Sequence, residues 1–155
     1  MNIRMAAVED TSLLIKLRMD YLQSDRGALP EAEDKRIRRQ LENYFPSHIN
    51  KDFIACLAED EGVVLSVAYL VITEKPANPS FITGKTATLL NVLTYPKYRR
   101  QGIAKRVITR IIEEARRMEV SSIDLSATAD GKPLYEKLGF TDNTLSRYTP
   151  MKLRL

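Results

Sequence analysis

The stretch YPKYRRQGIAKRVI, residues 95–108, joins an apolar strand pattern to an apolar helical pattern. The first backbone N–H groups of a helix have no partner inside the helix, so a helix N-terminus attracts anions. Gly102 lets a phosphate approach the backbone, and Arg99 and Arg100 add charge-assisted hydrogen bonds. The junction therefore predicts a cradle suited to a pyrophosphate. Alternatively, Gly102 is only a turn residue.

The pattern on either side of this junction predicts a strand, a helix and a second strand. Residues 85–94 have the composition of a strand, and apolar residues recur at helical spacing over 104–115. Residues 121–127 then form the next strand. This order predicts a crossover unit with two parallel strands.

A short helix over residues 133–140 is predicted to close the C-terminal half. Gly139 stands where a helix commonly ends in the left-handed conformation. Phe140 is then expected to begin another strand.

The N-terminal half is predicted to supply two helices and three strands. The helices begin after Asp10 or Thr11 and after Pro30. Glu61 and Gly62 predict a hairpin turn between two of the strands. The strands cover residues 2–5, 52–59 and 63–72. The class is α/β or α+β, with one domain over residues 1–155.

Composition excludes several classes of protein. Apolar residues make up 44% of the chain and charged residues 28%, which are ordinary globular values. No run of 18 apolar residues occurs, so we expect no membrane partner and a cytoplasmic location. Cys56 and His48 are the only residues of their types, so we expect neither a disulfide nor a metal site.

Positive charge is concentrated in one segment. Residues 97–117 carry eight basic and two acidic side chains, a net charge of +6 compared with +4 for the whole chain. A nucleic-acid-binding protein usually spreads lysine and arginine along a face. The concentration favours a compact polyanion, and no nucleic-acid partner is expected.

Three segments resemble the GNAT superfamily of acyl-CoA-dependent N-acyltransferases. Residues 99–104, RRQGIA, match its signature Q/R-x-x-G-x-G/A. NVLTYPKY, residues 91–98, resembles the family's strand 4 and the turn after it. LSATADGKPLYEKLGF, residues 125–140, resembles its strand 5 and helix 4. The resemblance covers nearly the whole chain and is weakest over residues 25–50.

This resemblance implies a fold, a cosubstrate and an activity. The fold is a mixed, mostly antiparallel, V-shaped sheet in which parallel strands 4 and 5 splay apart, flanked by about four helices. The pantetheine arm of acetyl-CoA lies in the wedge, and the chain transfers acetyl to a primary amine of a small molecule or peptide. A homodimer is compatible with the resemblance. The implied cofactor-binding residues are Val92, Leu93, Thr94, Arg99, Arg100, Gln101, Gly102, Ile103, Ala104 and Lys105.

Tyr135 matches the position of a family tyrosine near the cofactor sulfur. The resemblance implies that it is the general acid for the departing thiolate. A phenol with a pKa of ~10 can protonate a thiolate whose conjugate acid has a pKa of ~8.5. The alternative is a core aromatic residue between Leu134 and Leu138.

No general base is assigned from the sequence. Residues 86–94 contain no carboxylate where some family members carry a glutamate. Asn91 can orient a water, and His48 or acids of the first two helices such as Asp20 can face the substrate, but each is also explained as a surface or capping residue. An alternative function is therefore a module that binds or senses acyl-CoA without turnover.

Two further positions bear on the mechanism. Cys56 lies in an apolar strand pattern, which is typical of a buried structural thiol. Direct attack of the amine is therefore expected instead of an acyl-cysteine. Asp130 and Gly131 stand where many members place an asparagine beside the cofactor arm, so this contact is not carried over.

Overall fold

A computed structural model describes residues 1–143 and 146–155 of the chain. The chain forms β1 (Asn2–Met5), α1 (Thr11–Arg26), α2 (Glu31–His48), β2 (Phe53–Asp60), β3 (Val63–Glu74), β4 (Lys85–Thr94), α3 (Ile103–Arg117), β5 (Ser122–Asp124) and α4 (Lys132–Lys137). Short 3-10 turns precede α1 and α3. In this part of the chain, no helix combines the length and the apolar character that crossing a membrane requires.

The five strands form one mixed sheet in the order β1-β2-β3-β4-β5. The first four strands pair antiparallel, and β5 pairs parallel to β4. Glu61 and Gly62 both have positive φ, 48° and 78°, as the two central residues of a type I′ hairpin turn require. The mixed sheet and its helices confirm the predicted fold class.

Helices cover both faces of the sheet. Alternation along β2 sends Ile54 and Cys56 into the core under α3, and sends Phe53 and Leu57 into the core under α1 and α2. The predicted apolar stripe of α3 is buried, as shown by Val107, Ile108, Ile111 and Ala115. The sheet is therefore held in place from both sides.

The parallel pairing between β4 and β5 is short. It joins residues 86–88 to residues 122–124 and then stops. The predicted strand over 121–127 was therefore too long, because the chain leaves β4 after Asp124 and has no ladder partner there. Residues 89–94 and 125–131 contribute to the walls of one cleft, which is the expected V-shaped opening.

The end of α4 differs from the sequence prediction. Gly139 has φ 94°, as expected, but residues 140–143 belong to no strand, and residues 144–145 lie outside the described part. The Phe140 N–H donates to the Tyr135 carbonyl at 3.0 Å, and the Gly139 N–H donates to the Glu136 carbonyl at 3.0 Å. This is a Schellman cap, so the start of the expected strand is used to close the helix.

A buried hydrogen bond ties α1 to the sheet. Tyr69 of β3 is 1% exposed, and its hydroxyl donates to the Leu14 carbonyl at 2.6 Å. The ring also packs edge-on against Phe45 and Phe53. The contact holds α1 over the sheet face that includes Leu93 of β4.

Tyr69→Phe is expected to lower the free energy of unfolding by about 1 to 2 kcal/mol, because it removes one buried hydrogen bond and keeps the ring. Tyr44→Phe is the matched control, since no hydrogen bond from the half-buried Tyr44 hydroxyl to a described residue is present. Urea titration measures both changes. Equal stability of the two variants would contradict the role of the hydroxyl.

Candidate active site

A cleft of about 900 Å³ opens where β4 and β5 separate. One wall is the C-terminal half of β4, and the opposite wall is the segment after β5 together with α4. The start of α3 and the last turns of α1 complete the lining. The cleft is therefore long enough to hold an extended ligand between the two strands.

The wall formed by β4 contains a bulge. Tyr69 pairs with Leu90 and Val67 pairs with Leu93, so Asn91 and Val92 together lie opposite one residue of β3. Asn91 has φ 54°, a left-handed conformation that asparagine tolerates better than most residues. A bulge takes the extra residue out of the ladder and redirects the backbone beside it. The bulge was not predicted from the sequence, although one asparagine in an apolar strand was a sign of it.

The mouth of the cleft is the N-terminus of α3. Gly102 is its N-cap with φ 73°, and no atom lies within 4 Å of where a Cβ would stand. The first-turn residues 103–105 line the cleft. The Arg99 Nε–H donates to the Thr94 carbonyl at 2.9 Å, which fixes the turn between β4 and α3. The backbone N–H groups and open space fit a phosphate.

Nine of the ten residues predicted to bind a cofactor lie together in this cleft. Gln101 does not line it, since its side chain is exposed and donates to the Lys97 carbonyl at 3.4 Å. Contact with a cofactor stays a prediction for all ten. The nine lining residues are Val92, Leu93, Thr94, Arg99, Arg100, Gly102, Ile103, Ala104 and Lys105.

The basic segment divides into two groups. Arg99, Arg100 and Lys105 line the cleft. Further along α3, Arg110 Nη2 lies 2.7 Å from Glu114 Oε1, and Arg117 pairs with the same carboxylate. Among the described residues, positive charge is thus unpaired at the mouth, whereas Glu114 compensates part of the positive charge along the outer face of the helix.

Tyr135 lies in the opposite wall, held by the α4 cap. Its ring packs edge-on against Phe140 with centroids 5.9 Å apart, and a Cβ added to Gly131 would stand 3.2 Å from the ring. Its hydroxyl makes no hydrogen bond to any described residue. Burial raises the pKa of Tyr135, and Tyr21 of α1 adds to this effect. Tyr21 also lines the cleft and is a second phenol that the sequence analysis did not assign to the site.

The three residues considered beside the missing base have different positions. His48 is partly exposed, and its Nδ1 lies 2.7 Å from Asp52 Oδ1, outside the cleft lining. Asp20 is also outside the lining. Burial acts to raise the Asp20 pKa, but hydrogen bonds from Lys16 and Tyr95 outweigh it, so the pKa is lowered. Only Asn91 lines the cleft, and an amide is not a base.

Two carboxylates line the cleft, Asp25 at the end of α1 and Asp130 before α4, and both are exposed. Asp25 is one of the acids of the first two helices that the sequence suggested could face the substrate, whereas Asp130 was not considered as a base. Asp25 also lies 3.7 Å from the Arg26 guanidinium.

Cys56 is the buried structural thiol that the sequence predicts. It is 0% exposed in the core under α3, and burial raises its pKa to about 12. It does not line the cleft. A thiol in this environment is not an effective nucleophile near neutral pH.

The splayed strands and the open helix N-terminus have the shape that an extended ligand with a phosphate at one end requires. The profile of the Acetyltransferase (GNAT) family matches residues 14–140, and the chain belongs to this family. This membership confirms the resemblance found in the sequence.

Curated relatives match the chain over part of their length. An uncharacterized N-acetyltransferase, ycf52, of Pyropia yezoensis is 32% identical over 83 residues, which are 48% of each chain. The [Ribosomal protein bS18]-alanine N-acetyltransferase of Escherichia coli strain K12 is 34% identical over 64 residues, 39% of this chain and 43% of the relative. The chain spans about half the length of the curated relatives it matches.

Solved structures match over nearly the whole chain. A predicted acetyltransferase of Clostridium acetobutylicum, crystallised with acetyl-CoA, has a TM-score of 0.79 and 28% identity and covers 97% of this chain and 95% of its own. A ribosomal-protein-alanine N-acetyltransferase of Brucella melitensis has a TM-score of 0.66 and 19% identity, with both chains fully covered, which shows the shared fold.

Gly102→Asp is expected to abolish measurable CoA binding in calorimetry, because a carboxylate at the helix N-terminus repels the phosphates. Gly62→Asp is the matched control, since Gly62 also has positive φ with no atom within 4 Å of an added Cβ, but it lies in the β2–β3 turn. Both variants are expected to lose about 1 to 2 kcal/mol of stability through backbone strain. Retained CoA affinity in Gly102→Asp would contradict the phosphate assignment.

Proposed function

We propose that the chain transfers an acetyl group from acetyl-CoA to a primary amine of a small molecule or peptide by direct attack. The observation that carries the proposal is the single cleft that combines the β4 bulge, the α3 N-terminus and the free hydroxyl of Tyr135. The Escherichia coli relative, which is named as an alanine N-acetyltransferase of a ribosomal protein, supports an amine acceptor.

The chain offers separate binding surfaces for the two ends of acetyl-CoA. Arg99, Arg100 and the N–H groups of residues 103–105 hold the pyrophosphate at the mouth. The free edge of β4 from Val92 to Thr94 pairs with the pantetheine arm as an added strand would. When bound, acetyl-CoA supplies the acetyl group as an activated thioester.

The backbone near the bulge stabilises the charge of the transition state. Negative charge develops on the acetyl carbonyl oxygen as the amine nitrogen bonds to the carbonyl carbon. Backbone N–H groups at Asn91 and Val92, which are fixed before the reaction, act as the donors to this oxygen. The rigid pairing with β3 on the other edge of β4 keeps these groups in place.

Tyr135 completes the proton balance. The C–S bond breaks, and the Tyr135 hydroxyl gives its proton to the sulfur. The amine loses one proton to water in a cleft that Asp25 and Asp130 line, and Tyr135 regains one from solvent. Because burial raises the Tyr135 pKa, the phenol stays protonated throughout the neutral range, and the loss of activity that comes from ionising this phenol is expected only as the pH rises past the ordinary phenol value of ~10.

A binding module without turnover is the second candidate. Residues 89–94, which form the β4 wall, contain no carboxylate that could act as a general base. The lack of a base on this wall favours a binding module. Thiol release from acetyl-CoA, measured across a panel of amines, separates the two functions. Amine-dependent release supports the enzyme, whereas CoA binding without release supports the module.

Tyr135→Phe is expected to lower kcat by about 10² to 10⁴ with a good amine, the usual effect of losing a general acid. The affinity for acetyl-CoA should stay within a factor of about two, since the ring and its packing remain. Tyr21→Phe is the matched control, because Tyr21 is the other α-helical tyrosine in the cleft lining. We expect a change below about threefold there.

A large fall in kcat in Tyr21→Phe with little change in Tyr135→Phe would instead identify Tyr21 as the general acid. A rise confined to KM in Tyr135→Phe would show that the hydroxyl assists binding only. If kcat is unchanged, the acyl-transfer step is measured before the steady state. An unchanged rate of this step would exclude Tyr135 as the general acid.

A further inference from the structure

Arg18 of α1 lies beside the wall of the cleft. Its Nη1–H donates to Asn91 Oδ1 at 3.2 Å, and its guanidinium carbon lies 5.7 Å from the centre of the Tyr21 ring. Asn91 and Tyr21 both line the cleft. Arg18 itself is partly exposed and adjoins the cleft through these two lining residues, and its guanidinium has N–H groups beyond the one that Asn91 accepts.

The guanidinium of Arg18 has no carboxylate partner within 4 Å among residues 1–143 and 146–155. Burial, the largest influence, lowers the pKa of Arg18. Arg4 shows the contrast, because it is also partly buried but hydrogen-bonds to both Asp10 and Glu59. Desolvating a cation is unfavourable unless an anion compensates it. Arg18 therefore has an unmet requirement for a negative partner.

Asn91 gives a second, independent indication. It is 1% exposed, and its Nδ2 has no hydrogen-bond partner among the described residues. Buried amide groups are nearly always satisfied in folded proteins. The amide orientation is set by Arg18, because turning it would direct Nδ2 toward a cation. Two unsatisfied donor groups thus lie side by side at the bulge.

We propose that Arg18 and Asn91 form a subsite for an anionic group of the acyl acceptor, so that the acceptor is an amine bearing a carboxylate or a phosphate. This subsite rests on the proposed acetyl transfer. The Arg18 guanidinium binds the anion as a bidentate partner, and Asn91 Nδ2 donates to it. Binding of the anion there holds the acceptor beside the β4 bulge, where the acetyl carbonyl is attacked.

Matched acceptors test the subsite by thiol release. The carboxylate arm compares β-alanine with β-alaninamide, and the phosphate arm compares phosphoethanolamine with ethanolamine. In at least one arm, the wild-type kcat/KM is expected to be about 10- to 100-fold higher for the anionic amine, as charge-assisted hydrogen bonds allow. The arm that shows the preference identifies the anion. Equal kcat/KM values in both arms would overturn the proposal.

Substitutions at Arg18 test whether this residue causes the preference for anionic amines. Arg18→Ala is expected to remove it by lowering kcat/KM for the anionic amine alone, and Arg18→Lys should retain part of it. Arg36→Ala is the control, because Arg36 is exposed on α2 outside the cleft. If Arg18→Ala fails to fold, the proposal is still tested by Arg18→Lys and by the wild-type ratio of kcat/KM between the anionic and the neutral amine. An equal loss for charged and neutral amines would make Arg18 a positioning residue for Asn91 and would overturn the subsite.

A binding experiment keeps the subsite separate from the reaction. Propionate and inorganic phosphate are titrated by calorimetry into protein saturated with CoA, so that the phosphate cradle at the α3 N-terminus is already filled. Binding that Arg18→Ala abolishes supports the subsite even if no amine is acetylated, in which case only the proposed function fails. If no anion binds, or if binding does not depend on Arg18, the subsite is wrong. Amine-dependent thiol release would still support the proposed acetyl transfer in that case.

Discussion

The site depends on one strand edge that the fold leaves without a partner. β4 pairs with β3 along nearly all of its length but with β5 for only three residues. Backbone N–H and C=O groups need partners, so an edge facing a cleft is satisfied by water or by a ligand with a peptide-like chain. A fully paired β5 would close the wedge, and the cleft would not exist.

Side chains on both walls are held by ordinary elements of helix and sheet structure. The Tyr69 hydroxyl fixes α1 through the Leu14 carbonyl, and α1 presents Tyr21 and Asp25 to the cleft. On the other wall, the Schellman cap fixes Tyr135 through Phe140. Groups that are held before binding lose little freedom in the reaction.

In the part of the chain that the structure describes, cations without a carboxylate partner are present at the mouth of the cleft and beside its wall. Glu114 pairs with Arg110 and Arg117 on α3, while Arg99 and Arg100 stay exposed at the mouth. Among the described residues, Arg18 hydrogen-bonds to the uncharged Asn91 amide, lies over the Tyr21 ring and forms no ion pair within 4 Å. Uncompensated charge is unfavourable for stability, so its presence beside a cleft is typical of a binding function.

The sequence by itself determined the family, the order of elements as far as α4, the helix N-terminus at Gly102 and the buried state of Cys56, because these follow from local patterns and a short motif. Tertiary structure alone decided the short β5, the bulge at Asn91 and the place of Arg18. Those features depend on contacts between residues far apart in the chain: Arg18 and Asn91 are separated by 73 positions. Hydrophobic periodicity carries no information about such pairs, since it reports which face is buried and not which polar groups meet.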